Sequence, residues 1–558
     1  MDAVFLVLIL LLIASATGVA ARFLPALPTP LVQIAFGVLL ALPGIGLNVE
    51  LEPELFLLVF IAPLLFADAR RFPQREFMVL RGPILALALG LVLFTVLGVG
   101  AFIHWLFPAL ALPVCFALAA ILSPTDAVAV SAISGRLPVP PRLMRILEGE
   151  SLMNDASGLV AFKFAVAAAL TGTFSVTQAT LGFFIISIGG LFVGALMALV
   201  FNVIRTRLIE RHLGEGSTIQ ILLLLLLLPF AAYLLAEHFG MSGILAAVAA
   251  GMVINRTDLK RESQVNMRMQ TKSVWEMLEF TLNALVFLLL GFQLPDIVGG
   301  ALDHSLHDVG NYEFLRLLGY VAVISIALLL SRFVWILSAT WLQRRFSKER
   351  RAAISMRVML AATLAGIRGT ITLAAALSLP QLMNDGTPFP ARELLIFLAT
   401  GVIMFTLITG SIGLPLVLKN LDLPRDTHEF EEERRARIAA AEAAIRRIED
   451  FHHQRAETFT REHHSEEFII AFNDIRSQLM TWYRQRLELG DTTVPTPRLE
   501  AIRSLERETR VEALRAERRE YYRLRGKHHI NDDVLRKLVR EVDLAETALT
   551  GDTGHAHH

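Results

Sequence analysis

From Met1 to about Asn420 long apolar runs alternate with short polar breaks, and no other feature restricts the fold as much. A helix that crosses a bilayer needs roughly 20 apolar residues, because it rises about 1.5 Å per residue through a core about 30 Å thick. Inside that layer no water is available, so each run must satisfy its own backbone groups, which a helix does. Runs of about this length lie at residues 3–21, 28–46, 53–69, 82–107, 110–134, 145–170, 177–204, 217–238, 240–254, 276–295, 314–342, 355–379 and 392–418. The expectation is an all-α polytopic membrane protein with about 13 transmembrane helices. Residues 1–420 would form the transmembrane domain and residues 421–558 a cytoplasmic helical tail rich in Arg, Glu and His.

Composition agrees with this class. Hydrophobic residues make up 54% of the chain and charged residues only 19%, with a mean hydropathy of +0.55, too apolar for an ordinary soluble enzyme. The formal net charge of zero averages two unlike regions, and no nucleic-acid partner is expected. The single cysteine, Cys115, lies in an apolar run, so neither an intrachain disulfide nor a redox motif is available. Ala14-Ser15-Ala16 has the look of a signal-peptide cleavage site, but Asp2 and the lack of a basic residue at the start argue for a retained helix.

The loops set an orientation. Those after odd-numbered runs carry Arg22; Arg70, Arg71, Arg75 and Arg81; Arg136, Arg142 and Arg145; Arg205, Arg207 and Arg211; Arg256, Lys260, Arg261, Arg268 and Lys272; and Arg344, Arg345, Lys348, Arg350 and Arg351. Loops after even-numbered runs, such as Asn48–Glu54 and Leu294–Glu313, contain no Lys or Arg. Cytoplasmic loops carry the Lys/Arg excess. This expectation puts the N-terminus outside and the tail inside, in a cell (inner) membrane. A missed helix would flip every later loop, so the unbroken alternation also checks the count.

Two runs are interrupted. The fifth contains Ser123-Pro124-Thr125-Asp126, where proline removes a backbone donor. The twelfth contains Ala365-Gly366-Ile367-Arg368-Gly369-Thr370, an arginine between glycines. Seven positions apart, the two runs have opposite orientation and could correspond in an inverted repeat. Paired discontinuous helices mark transporter sites near the midplane, although Pro and Gly also kink membrane helices harmlessly.

The sixth run carries Glu150-Ser151-Leu152-Met153-Asn154-Asp155-Ala156-Ser157. At 3.6 residues per turn, Glu150 and Asn154 share one stripe, and Ser151 and Asp155 share the adjacent one. Carboxylate, amide and hydroxyl oxygens are the hard donors that an alkali cation needs as it sheds water. A helix end emerging into the cytoplasm could account for Glu150, but Asp155 lies too far along the run. Arg332 in the eleventh run and Arg368 at the twelfth-run break need buried carboxylate partners. Glu150 and Asp126 are the candidates, and sequence alone does not assign the pairs. Lys163 has a stem long enough to snorkel and is left out of the site. Glu237 and His238 fall in a short outside turn.

These stretches resemble a known family. Leu147-Glu148-Gly149-Glu150-Ser151-Leu152-Met153-Asn154-Asp155, Pro124-Thr125-Asp126 and Gly366-Ile367-Arg368-Gly369 are similar to signatures of the first family of monovalent cation/proton antiporters, within the sodium/hydrogen exchanger superfamily. Glu237-His-Phe-Gly-Met-Ser-Gly243, and Trp275-Glu276-Met-Leu-Glu279 followed by Asn283 and Gly291, resemble it too. The resemblance implies inverted repeats, two discontinuous crossing helices, a homodimer, and a six-helix core that moves against a dimerisation scaffold. It implies that Asp155 binds cation and proton, that Ser151 and the Thr125 backbone carbonyl add oxygens, and that Asn154 fixes the crossing of the fifth and sixth helices. It implies a Glu150–Arg332 pair. The family's third-helix acid follows Pro-Leu-Leu-Phe; here Phe66 is followed by Ala67 and then Asp68, one position late.

The function expected is electroneutral exchange of a monovalent cation, Na⁺ before K⁺ or Li⁺, for protons by alternating access. Burial disfavours the ionised form of a carboxyl group, so one buried carboxylate would hold a proton or a cation, never both. No cofactor is expected beyond these transported ions, and the surrounding partner is membrane lipid. A channel explains the paired breaks poorly. An intramembrane enzyme finds no GxSxG, HExxH or phosphate loop in the membrane region, so no enzymatic activity is expected. A cation- or proton-coupled symporter of a small solute on the same fold is the alternative. The paired histidines His452/His453, His463/His464 and His528/His529, and those at His555, His557 and His558, could sense pH or bind a metal, but they read more simply as solvated helix faces.

Overall fold

The computed structural model describes residues 2–23, 27–41, 52–134, 139–171, 176–209, 218–258, 265–305, 312–346, 355–383, 386–419, 427–461, 466–490, 497–527, 529–530 and 532–550. The regular elements among these residues are all helices, joined by short non-helical stretches, with one isolated bridge between Leu382 and Pro388. The chain separates into two compact units, Met1–Leu421 and Asp422–His558.

The first unit opens with α1 (Asp2–Phe23) and α2 (Thr29–Leu40). The third run starts at Pro53–Phe56, passes a π-helical turn at Leu57–Ile61 and ends as α3 (Ala62–Arg71). The fourth comprises α4 (Gln74–Leu85), a second π-helical turn at Ala86–Leu91, and α5 (Val92–Leu106). The fifth is split into α6 (Leu112–Ile121) and α7 (Ala127–Ser134). Then come α8 (Pro141–Thr171), α9 (Val176–Ile204), α10 (Thr218–His238), α11 (Gly243–Asp258), α12 (Val265–Ser305) and α13 (Tyr312–Phe346). The twelfth run is split into α14 (Met356–Leu364) and α15 (Thr370–Leu377), and α16 (Arg392–Leu418) follows. Among the described residues, seven helical stretches are long and apolar enough to cross a membrane, and four apolar helices are shorter.

Several helices outrun their apolar stretches. α12 covers 41 residues and α13 35, because intrahelical hydrogen bonding continues into polar flanks. Of the basic loop residues, Arg136, Arg211, Lys260, Arg261, Lys348, Arg350 and Arg351 lie outside the described residues.

Helices in a bilayer associate by close packing rather than by expulsion of water, so small residues mark the tightest contacts. α2 meets α12 at Gly37 and Gly291. A Cβ on Gly37 would come 2.1 Å from the Leu288 carbonyl oxygen, and one on Gly291 2.1 Å from that of Ile34. No side chain fits at either position.

α8 runs through the middle of this unit, packed on α4 and α6. The π-helical turn at Ala86–Leu91 widens the helix and frees carbonyls. Side chains take them up: Ser157 Oγ donates to Ala88 O at 2.6 Å, and Trp335 Nε1 donates to Ala86 O at 3.1 Å.

The second unit contains α17 (Thr427–Arg461), α18 (Glu466–Gly490), α19 (Pro497–Gly526) and α20 (Asp532–Thr550). α17 packs on α18 and α19 on α20, burying Ala441, Met480, Val511 and Val542. His452 is not a free surface group: its ring stacks on Phe472 with centroids 4.6 Å apart, and Nε2 lies 2.8 Å from Asn473 Oδ1. Residues 492–496 and His463, His464, His528, His555, His557 and His558 lie outside the described residues.

Candidate functional site

The two helix breaks face each other. Pro124 has no amide hydrogen to continue α6, so Ser123–Asp126 runs without helical bonding before α7 begins; Gly366–Gly369 does the same between α14 and α15. The Asp126 amide donates to Ile367 O at 2.8 Å. In return, Arg368 Nη1 donates to Ser123 O at 2.9 Å and to Pro124 O at 3.1 Å, while its backbone amide donates to Thr406 Oγ1 at 3.1 Å. The fit requires Gly369, where a Cβ would fall 1.9 Å from Asp126 Oδ2.

Breaking a helix inside a membrane leaves two sets of unsatisfied end groups, amides with partial positive charge and carbonyls with partial negative charge. Charged side chains of opposite sign occupy these ends. Asp126 Oδ1 accepts from the amides of Val128 at 2.9 Å and Ala129 at 3.1 Å, capping α7. The same carboxyl lies beside the Thr370 amide that opens α15. Arg368 covers the carbonyl end of α6. Arg332 Nε donates to Ala362 O at 2.8 Å, near the carbonyl end of α14.

The two polar stripes of α8 face different surroundings. On the Glu150/Asn154 stripe, Arg332 holds Glu150 in a bidentate pair, Nη1 with Oε1 and Nη2 with Oε2 at 2.8 Å. Each residue is 1% exposed. Thr125 Oγ1 donates to Glu150 Oε1 at 3.4 Å and accepts from Asn154 Nδ2 at 2.8 Å, tying the fifth-run break to α8. On the Ser151/Asp155 stripe, Ser151 Oγ accepts from the Ala127 amide at 3.3 Å. The Asp155 carboxyl has no hydrogen bond to any described residue.

That second stripe opens onto a cavity of about 30 Å³. A cavity needs about 10–15 Å³ by this measure to hold a water, so there is room for a small ion. Asp68, Thr125, Asp126, Ser151 and Asp155 line it together with Asn283 of α12 and Thr372 of α15. Four of the sequence-predicted residues stand back from the wall: Asn154, Glu150, Arg332 and Arg368 hold the breaks and the α8 register. Asp68 reaches the wall despite its late position after Phe66. Asn283 and Thr372 are additions to the predicted set. Asn283 had a signal as an amide inside an apolar helix, whereas Thr372 is one threonine among many. Lys163, left out of the site, pairs with Glu237 at 3.4 Å, and the Glu237 carboxylate also accepts from the Gly243 amide at 3.1 Å.

The profile of the transmembrane sodium/hydrogen exchanger family matches residues 7–420. This chain belongs to the sodium/hydrogen exchanger family. It is 44% identical over 554 residues to an Escherichia coli (strain K12) protein named as the uncharacterized Na(+)/H(+) exchanger YjcE, covering 98% of this chain and 99% of that one. It is 45% identical over 422 residues to the sodium, potassium, lithium and rubidium/H(+) antiporter of Bacillus subtilis (strain 168), covering 75% of this chain and 62% of that one. The solved sodium proton antiporter MjNhaP1 of Methanocaldococcus jannaschii shares the fold, with a TM-score of 0.56 at 20% identity over 76% of this chain and 100% of that one. The exchanger family match spans every residue of the cavity wall.

Proposed function

We propose that this exchanger-family chain is a secondary antiporter that swaps a monovalent cation, Na⁺ foremost, for protons at one alternating-access site. The observation that carries this is the Asp155 carboxyl, 4% exposed, on a cavity wall with hydroxyl oxygens and no hydrogen bond of its own among the described residues. A proton or a dehydrated cation satisfies such a group, and the two exclude each other. Ser151 supplies a hydroxyl oxygen to the cation. The Thr125 hydroxyl is engaged by Glu150 and Asn154, which leaves its backbone carbonyl as the oxygen it offers. Asp68 lies on the same wall and is a further ligand.

Asp126, Asn154, Glu150, Arg332 and Arg368 support the site without exchanging ions. The exchange is electroneutral in this reading: Asn154 beside Asp155 does not titrate, and Arg332 balances Glu150. The core bearing α6, α7, α8, α14 and α15 reorients against a scaffold in a homodimer. Residues 1–420 carry out transport in the cell membrane with the N-terminus outside, and residues 421–558 form a cytoplasmic tail.

Purified protein in proteoliposomes with an internal pH dye tests the proposal. Adding Na⁺ against a preset proton gradient should move protons, and K⁺, Li⁺ and Rb⁺ belong in the same series because the Bacillus subtilis relative is named for all four. Proton movement that needs an added organic solute, or none with any of the four cations, would overturn the antiport reading.

A further inference from the structure

Of the buried side-chain polar atoms with no partner among the described residues, only Thr372 Oγ1 belongs to a residue lining the cavity beside Asp155. Thr372 is 1% exposed. Several threonines elsewhere in these helices return their hydroxyl to a carbonyl one turn back: Thr363 donates to Met359 O at 2.9 Å, Thr406 to Val402 O at 2.9 Å, and Thr409 to Phe405 O at 2.7 Å. Thr400, away from the cavity wall, shares the unpartnered state of Thr372 among the described residues. Thr372 sits in the first turn of α15, and one turn back lies the Gly366–Gly369 break. The carbonyl four residues back is that of Arg368, inside the non-helical break, and the Gly369 carbonyl accepts from the Leu373 amide at 3.4 Å, so Thr372 Oγ1 has no partner among the described residues.

A buried hydroxyl without a partner is unfavourable. On a wall that also carries Asp68, Asp126 and Asp155, the partner it lacks among the described residues would be supplied by a species that fills the cavity. We propose that Thr372 is a cation ligand, its hydroxyl oxygen adding a neutral hard donor from α15 to those supplied by α8 and the fifth-run break. This rests on the antiport reading for its substrate. The hydroxyl contributes chiefly to the cation-loaded state, because a protonated Asp155 is already neutral. Its removal should therefore weaken cation binding far more than it slows reorientation.

The test compares wild type with Thr372→Val, which keeps the branched shape, and Thr372→Ser, which keeps the hydroxyl. In proteoliposomes the half-saturating Na⁺ concentration of Thr372→Val should rise about tenfold, the size expected when one hydrogen-bond-strength contact to a charge is lost. Its maximal rate should be retained, and Thr372→Ser should stay within about twofold of wild type. A second readout is the thermal unfolding midpoint in detergent, in NaCl against choline chloride at equal ionic strength. Without Na⁺, Thr372→Val should be as stable as wild type or more so, since an unpaired buried hydroxyl has gone. The rise in midpoint caused by Na⁺ should shrink.

An unchanged half-saturation together with an unchanged Na⁺-induced rise in Thr372→Val would overturn the inference. If that variant folds poorly, Thr372→Ala against Thr372→Ser decides: loss with Ala alone supports it, and equal behaviour overturns it. Na⁺ stabilisation that depends on Thr372 in a protein that moves no protons would uphold the ligand and sink the antiport reading. Neither effect in wild type would sink both.

Discussion

Replacing Arg332 by Met leaves Glu150 buried without its cation. In the intact protein both Glu150 oxygens are bound by the guanidinium, and the only other donor to this carboxylate among the described residues is the Thr125 hydroxyl at 3.4 Å. Removing one member of such a pair costs about 3–5 kcal/mol, because the remaining charge keeps its desolvation penalty and loses its compensation. Arg332→Met also frees the Ala362 carbonyl at the end of α14, which places the loss at the upper end of that range. Globular domains unfold with an entropy of about 2.1 cal/mol/K per residue, so over the 421 residues of the first unit the midpoint should fall by about 3–6 °C. Glu150→Met should give a drop of the same order, leaving the guanidinium stranded in turn. The double variant removes both charges and replaces them with apolar side chains of similar length, which is often neutral or stabilising relative to a buried pair. Its midpoint should lie well above the sum of the single losses, giving a coupling of several kcal/mol in a double-mutant cycle. The assay is thermal unfolding of purified protein followed by intrinsic fluorescence. Additive losses with no coupling would refute the claim that the pair acts as one structural unit.

Three further outcomes follow from the site. Asp155→Asn should abolish cation/proton exchange in proteoliposomes with an unchanged elution volume and a near-normal unfolding midpoint, since it removes the exchangeable charge but keeps size and an oxygen; near wild-type exchange would move the site elsewhere. Imposing a membrane potential should leave the end point of the exchange unchanged, as one proton per monovalent cation requires; a voltage-dependent gradient would bring in a second carrier, and Asp68 is then the suspect, because Asp126 is occupied in capping α7. Deleting residues after about Arg425 should preserve exchange, with at most a changed pH profile; complete loss in a folded truncation would make the tail part of the transport machinery.

Much of the site was legible because its signals are local. A proline and a pair of glycines beside charges announce a broken helix wherever the chain goes, and both breaks lie at the expected residues. The 3.6-residue period sorted the sixth-run polar residues into two stripes, and the stripes do separate: Ser151 and Asp155 line the cavity, while Glu150 and Asn154 bind Arg332 and Thr125. Asp68 was harder. A one-residue offset turns a helical side chain by about 100°, and only the packing of α3 shows that it still reaches the wall.

What the sequence determined by itself was the class of structure, because apolar length and breaker residues act on each segment without reference to the others. An all-helical membrane unit, its interruptions at Pro124 and between Gly366 and Gly369, and the oxygen-rich face of α8 all follow from that. Which charge meets which does not follow from residue type and spacing. By those alone Asp126 and Glu150 were both open as partners for the two arginines; the family resemblance implied Glu150 for Arg332, and the folded chain forms that pair. Arg332 takes Glu150, 182 residues away in sequence, while Arg368 takes no carboxylate among the described residues and instead covers the Ser123 and Pro124 carbonyls in the fifth-run break. The membership of Asn283 and Thr372 in the cavity wall was likewise decided by tertiary structure. The rotation of a helix about its axis is set by the neighbours it packs against, and side chains brought together from distant segments leave no mark in the order of residues.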